Sequence, residues 1–366
     1  MDSKIFNVEK TETDYKNTNL ILGTEPGLFD TIHKKHPKIW DLYKEMKSLD
    51  WSEDEFDFGQ CNIDFKNCPK EVSDMMIRTL AWQWEADSIA SRSIITVLAP
   101  FITSSELWAA WQRISDNEVV HAATYSEIVR MSFDDANKVL SNILSVKESL
   151  SRLDIVGDVF GNTHKLAHRY SLGEVENDQT LYNEVYVTIA TLLMLERIQF
   201  MASFAVTFTI CGSGLFQPIG KAVQKIAQDE LEVHSELDKE VIRTERKTTR
   251  GKIAHEETKD RIKEIFEAVI ESECTWVDYL FSEGRSLVGT NSDLLKLWVL
   301  YNARAVADFL NIETELKMPR INPMPNMDKW LNMNKQQAAP QEQDLAAYKV
   351  GAVIQNDAGA KFDVDF

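Results

Sequence analysis

Apolar positions recur along this chain in long runs at the spacing of amphipathic helices. An amphipathic pattern runs from about Ile39 to Leu49, and Trp51-Ser52-Glu53-Asp54-Glu55 follows as a turn and helix start. Residues 70–99 predict a long helix that Pro100 interrupts. Residues 104–131 predict another, with Ser104 or Ser105 as N-cap and Glu106 in the first turn, where a carboxylate complements the free N–H groups. Helical patterns over 134–150 and 151–171 come next, with Gly173 near a break. Leu181–Ile210 is the most apolar stretch and is long enough for a membrane span. Glu196, Arg197 and Gln199 near its middle would be costly in lipid, so a core helix wrapped by other helices is the better reading. Gly212-Ser213-Gly214 ends it. Residues 218–243 predict the next helix, Thr244–Lys259 a charged surface segment, and 260–283 and 292–311 two further helices.

The two ends differ from this body. Residues 1–35 are polar and irregular, an expected arm. Beyond the helical domain expected over 36–320, Asn322-Pro323-Met324-Pro325 marks a turn. From Asn334 the chain is rich in Gln, Ala, Asp and Gly, the composition of a flexible tail over 321–366. It closes on Phe362-Asp363-Val364-Asp365-Phe366, two aromatics in an acidic setting. Such anchors suggest a docking peptide; a solvated terminus is the plainer alternative.

Composition narrows the class. Apolar residues make up 44% of 366, enough for a large core without disulfides, and only 14 Gly and 9 Pro are present. The expected fold is all-α. A formal charge of −18 repels phosphate backbones and anionic lipids, so neither nucleic acid nor membrane is an expected partner. Cys61, Cys68, Cys211 and Cys274 form no C-x-x-C pair, which fits free thiols in a reducing cytoplasm. The opening MDSKIFNVEK lacks a basic segment followed by an apolar one, so no signal peptide is expected.

The chemistry lies in one recurring order: Asp87, then Glu118-x-x-His121, then Glu196, then Glu230-x-x-x-His234. A Glu and a His three or four apart share a helix face. Two such pairs and two single carboxylates, from neighbouring helices, give six ligands around a bundle interior, the construction of carboxylate-bridged dimetal bundles. Two divalent cations balance four carboxylates, so the cluster can sit in a core that would reject bare charges. Oxygen-rich ligation with one imidazole per ion suits iron or manganese. Tyr125, four residues after His121, shares that ligand face, and a phenol close to such a centre is a candidate for one-electron oxidation. Phe200 and Phe204 follow Glu196 at the same spacing and would line the site with groups hard to oxidise. The blander readings are a surface E-x-x-H, a buried partner of Arg197 at Glu196, and a space-filling Tyr125.

These residues resemble the small (beta) subunit of class I ribonucleotide reductases, a ferritin-like dimetal-carboxylate family. The resemblance runs from about Trp51 to the C-terminus. It is carried by Asp87-Ser88-Ile89 with Arg92-Ser93, Glu118-x-x-His121-x-x-x-Tyr125, Glu196-Arg197-Ile198-Gln199-Phe200 and Ile226-Ala227-Gln228-Asp229-Glu230. Trp276-Val277-Asp278-Tyr279-Leu280-Phe281, Asn322-Pro323 and Ala339-Pro340-Gln341-Glu342 extend it. It implies a ferritin-like helical bundle with additional helices and a homodimer. It also implies two metal ions per chain, iron with manganese as the alternative, that react with oxygen and oxidise Tyr125 to a tyrosyl radical. Trp51, Asp229 and His121 would form an internal transfer route, and Tyr348 would relay the radical to a separate large (alpha) subunit that reduces ribonucleotides to deoxyribonucleotides. The Phe362–Phe366 peptide would dock on that subunit. The family's second pair is usually Glu-x-x-His, whereas here Glu230 and His234 are four apart with Glu232 between them. A four-residue spacing still shares a face, and a π-type bulge would also restore the geometry; Glu230 or Glu232 is the fourth carboxylate. Another ferritin-like dimetal oxidase or iron store, and a metal-free helical interaction protein, are the alternatives.

Overall fold

With few prolines and glycines to break it, the chain runs as long helices joined by short turns. The computed structural model describes residues 19–24 and 27–331, and among them the regular structure is helical, with only isolated bridges at Ile21–Ile102 and Leu287–Thr290. The helices are α1 (Pro37–Ser48), α2 (Gly59–Asn67), α3 (Lys70–Leu98), α4 (Ser105–Ser132), α5 (Ala136–Ile143), α6 (Lys147–Ser151) and α7 (Asp154–Ser171). Then come α8 (Gln179–Met194), α9 (Phe200–Cys211), α10 (Gln217–Gln228), α11 (Ser235–Glu245), α12 (Thr249–Leu280), α13 (Ser292–Leu310) and α14 (Asp328–Leu331). Two π-helical turns, Leu195–Gln199 and Asp229–His234, join α8 to α9 and α10 to α11.

The starts follow local chemistry. Ser104 Oγ accepts from the Leu107 N–H at 3.2 Å, Asp178 caps α8 at 2.9 Å, and Asn291 caps α13 at 2.9 Å. Each such cap contributes about 1 kcal/mol. The core is built from α3 packed on α4, α8 on α12, and α9 on α3 and α13. The apolar run from Gln179 to Cys211 lies inside it, with 94% of its most hydrophobic window buried. Its length suits a membrane, but its surroundings are other helices.

Three boundaries differ from the sequence expectation. The charged stretch over 244–259 is mostly helix: the chain turns at Arg246–Thr248 and α12 begins at Thr249, capped by the Thr248 hydroxyl at 2.9 Å from the Gly251 N–H. Its charges face solvent along a helix, whereas composition gave only a charged surface segment. The turn requires Gly251, because a Cβ there would lie 1.9 Å from the Glu245 carbonyl oxygen. At the front, Leu20, Ile21 and Leu22 are buried, and the Leu22 N–H donates to the Phe101 carbonyl at 2.7 Å. At the back, Trp330 stacks on Phe208 with centroids 4.9 Å apart, and Gln224 Nε2 donates to the Trp330 carbonyl. The packed body therefore continues past both edges of the 36–320 domain. The rest of the tail, with Tyr348 and Phe362–Phe366, lies outside the described residues.

Candidate metal centre

Four helical segments converge on one buried point. Asp87 comes from the middle of α3, and Glu118 and His121 come from α4, where their three-residue spacing in a regular helix aims both inward. Glu196 sits on the first π turn, and Glu230 and His234 on the second. The extra residue between Glu230 and His234 is absorbed by that wider turn, the alternative to a plain i,i+4 pair. Both π turns lie at the cluster, in keeping with the concentration of such bulges at functional sites. All six side chains are at most 1% exposed.

Two overlapping groups result. Ligand atoms of Asp87, Glu118, His121 and Glu230 lie within 4.8 Å of one another, as do those of Glu118, Glu196, Glu230 and His234. Glu118 and Glu230 belong to both, so each can bridge. Glu232 belongs to neither; it is half-buried and accepts from Gln228 at 3.3 Å. The imidazoles face the cluster through Nδ1. His121 Nδ1 lies 3.5 Å from Glu118 and 3.3 Å from Glu230, and His234 Nδ1 lies 3.5, 3.7 and 3.4 Å from Glu118, Glu196 and Glu230.

The cluster gathers four carboxylates around two imidazoles and, among the described residues, leaves many of their atoms without hydrogen bonds. Both Asp87 oxygens, both Glu230 oxygens, one oxygen each of Glu118 and Glu196, and Nδ1 of both histidines are buried with no hydrogen-bond partner among the described residues. Buried polar atoms are seldom left so. Four carboxylates and two imidazoles aimed at a common centre are the donor set that two divalent cations satisfy.

The electrostatics of the cluster agree. Burial, then the neighbouring Glu118, pushes Asp87 well above the usual carboxylate range; burial, then Glu230, does the same to Glu196. Burial works against the charged imidazoles, yet Asp229 and the cluster carboxylates hold His121 well above its ordinary value, and Glu230 leads the same effect at His234. Glu230 is held low: burial opposes its charge, but Glu196 and the two histidines outweigh it. The raised carboxylates and imidazoles are those expected where a cluster of negative charge calls for compensation by protons or cations.

The surroundings place the other expected residues. Tyr125 is 1% exposed, its hydroxyl has no partner among the described residues, and burial, then Asp87, Glu230 and Glu118, keep its phenol protonated. Trp51 Nε1 donates to Asp229 Oδ2 at 2.7 Å, and the same oxygen lies 3.0 Å from His121 Nε2. With Nδ1 turned to the cluster, His121 presents Nε2 to the Asp229 carboxylate at 3.0 Å, an acceptor placed as those that orient metal-binding imidazoles are. Phe200 is buried between Trp82 and Phe204, with centroids 5.0 and 5.5 Å away. Two partners were not legible in the sequence: Asn117 Nδ2 lies 3.4 Å from His234 Nε2, and Asp238 accepts from Trp111 Nε1 at 3.4 Å. Asn117 directly precedes Glu118, the one signal that could have flagged it.

The fold and cluster define a class: a ferritin-like helical bundle enclosing a carboxylate–histidine group able to bind metal. Within it, the chain belongs to the family described as "Ribonucleotide reductase, small chain", which matches residues 28–323. The ribonucleoside-diphosphate reductase subunit beta of Haemophilus influenzae is 28% identical over 361 residues, covering 94% of each chain. Among solved structures, the ribonucleotide reductase R2 subunit from Clostridium botulinum superposes with a TM-score of 0.78 at 18% identity, covering 89% of this chain and 97% of its own. The dimanganese(II)-NrdF of Streptococcus sanguinis gives 0.64 at 13% identity, covering 82% and 98%.

Proposed function

We propose that this chain is the radical-generating small subunit of a ribonucleoside-diphosphate reductase, with Tyr125 as the residue oxidised. The observation that carries the reading is the pair of overlapping buried ligand groups sharing Glu118 and Glu230, with the unpartnered phenol of Tyr125 in their field. Asp87, Glu118, His121, Glu196, Glu230 and His234 would hold two ions, iron in our reading and manganese as the alternative. When bound, the ions supply the oxidising equivalents drawn from dioxygen.

The chain's own residues do the rest. Tyr125 loses one electron and its phenolic proton, and its burial keeps water and solutes from the radical. Phe200 and Phe204 offer nothing more easily oxidised than the phenol. Asp229, bonded to both Trp51 and His121, ties the helix of Tyr125 to an indole that is 9% exposed. An electron returning from the large subunit, by way of Tyr348, would follow Trp51, Asp229 and His121 to Tyr125. The acidic, aromatic ending of the 321–366 segment supports its role as the tether to that subunit, since a tether keeps a weakly held partner at high local concentration. A homodimer, and a cytoplasmic setting suited to four unpaired thiols, complete the reading.

The test is the EPR spectrum after Fe(II) loading and exposure to oxygen. A tyrosyl signal is expected in the parent protein and none in Tyr125→Phe with its metal retained; a strong signal surviving that substitution would refute the assignment. Removing residues 340–366 should abolish turnover with the large subunit while leaving the signal intact.

A further inference from the structure

Away from the ligands, one buried charge is built more elaborately than stability requires. Arg152 lies in the short link between α6 and α7 and is 1% exposed. Its guanidinium is stacked between Trp82 of α3, 3.5 Å from the ring centroid, and Trp276 of α12, 4.7 Å away. Nε and Nη2 donate to the two oxygens of the fully buried Glu273 at 2.9 and 2.7 Å. Nη2 also donates to the Gln199 carbonyl at 2.8 Å and Nη1 to Ser203 Oγ at 3.2 Å. The Gln199 side chain answers by donating to the Arg152 carbonyl at 2.7 Å.

Gln199 is the last residue of the π turn that carries Glu196, and Ser203 lies one turn into α9. Burying an ion pair seldom gains net stability over apolar packing, so a buried pair calls for another role. A widened turn is a poorer holder of its side chains than a regular helix, and a fixed guanidinium fork restrains its backbone in a way that a flexible ammonium does not.

We propose that Arg152 is a positioning residue for Glu196: gripped by Glu273 and packed between Trp82 and Trp276, it pins the Leu195–Gln199 turn so that the Glu196 carboxylate meets the second half of the metal site. The proposal rests on the reading of Glu196 as a ligand. It distinguishes the two halves, because among the described residues the guanidinium's hydrogen bonds go to Glu273, Gln199 and Ser203, and it meets the Asp87 helix by stacking on Trp82.

The experiment is a Mn(II) titration of the metal-free, full-length protein, with free ion counted by EPR and helix content by circular dichroism. The parent chain is expected to bind two ions. Arg152→Lys keeps the charge but loses the fork. It should bind the first ion with affinity within about threefold of the parent and the second at least about tenfold more weakly, the loss typical when a ligand's support is removed. Adding Asp87→Asn, which disables the other half, should leave no tightly bound ion. If Arg152→Lys does not fold, Glu273→Gln, which loosens the fork, carries the same expectation. Two ions bound with parental affinities, or both weakened together, would overturn the positioning role. No ions on the parent chain would instead overturn the dimetal reading itself.

Discussion

The two halves of the centre present similar ligands from different backbones. In the first, Asp87, Glu118 and His121 stand on regular α-helix, and the three-residue spacing alone aims the pair inward. In the second, Glu196, Glu230 and His234 all stand on π turns. The inserted residue before His234 would rotate a regular helix by about 100°, yet the imidazole still reaches Glu118, Glu196 and Glu230. Geometry at such a site is thus kept by the backbone's choice of turn as well as by residue spacing. A half built on regular helix supports itself, whereas a half built on widened turns depends on neighbours such as Arg152.

The strongest way to break this comparison is to remove what the halves share. Glu230→Ala should weaken binding of both ions by at least about 100-fold, beyond the 10–100-fold typical of support residues, while Glu232→Ala should bind two ions as before. Equilibrium dialysis with elemental analysis measures both, and the reverse pattern would move the fourth carboxylate to Glu232. Next in size is the effect of pH. Both halves hold protons that cations must displace: Asp87 and Glu196 are raised, as are His121 and His234. Binding should therefore tighten from pH 6 to pH 8, by up to about tenfold per pH unit for each proton released. Calorimetry in buffers of different ionisation enthalpy counts those protons. A smaller change is expected on deleting Glu232. If the second π turn exists to absorb one residue, the shortened chain forms a regular helix with Glu and His three apart and still binds two ions, within about threefold of the parent; loss of the second ion would show that the wide turn itself is needed.

A separate effect, on folding rather than on metal binding, concerns Glu245 at the end of α11. Burial pushes Glu245 up to about 7 against the bond from Tyr182. The folded chain then keeps a proton that the unfolded chain releases near about 4.3. The stability this provides is complete below that value and is lost as pH rises towards about 7, at up to about 1.4 kcal/mol per pH unit. Chemical unfolding from pH 4.5 to 8 should show a shallower decline in Glu245→Gln than in the parent.

What could be read in advance follows the same division. The capped start of α4, its inward Glu118–His121 pair and the buried run after Leu181 were legible because period and cap chemistry are local. The wide turn at Glu230 could be suspected, since an extra residue in a known spacing leaves a trace. The one at Glu196 could not, because a lone carboxylate has no spacing to violate. Arg152 and Glu273 lie 121 positions apart, and Trp51 and Asp229 lie 178 apart; no local pattern joins them. The charged stretch over 244–259 was legible as surface but not as helix, since solvent accepts charge equally on a helix and on a loop.

The long apolar run from Gln179 to Cys211 has a consequence for how the protein is made. Its main cover, α12, is encoded downstream, and α13 ends only at Leu310. At a synthesis rate of about 5–20 residues per second, that greasy segment is finished roughly 5–20 seconds before its last covering helix. During that interval the nascent chain exposes a long apolar segment interrupted near its middle by the polar and charged side chains of Glu196, Arg197 and Gln199. The order of synthesis thus leaves the covering of the most apolar segment to be completed last, by helices that lie after it in the chain.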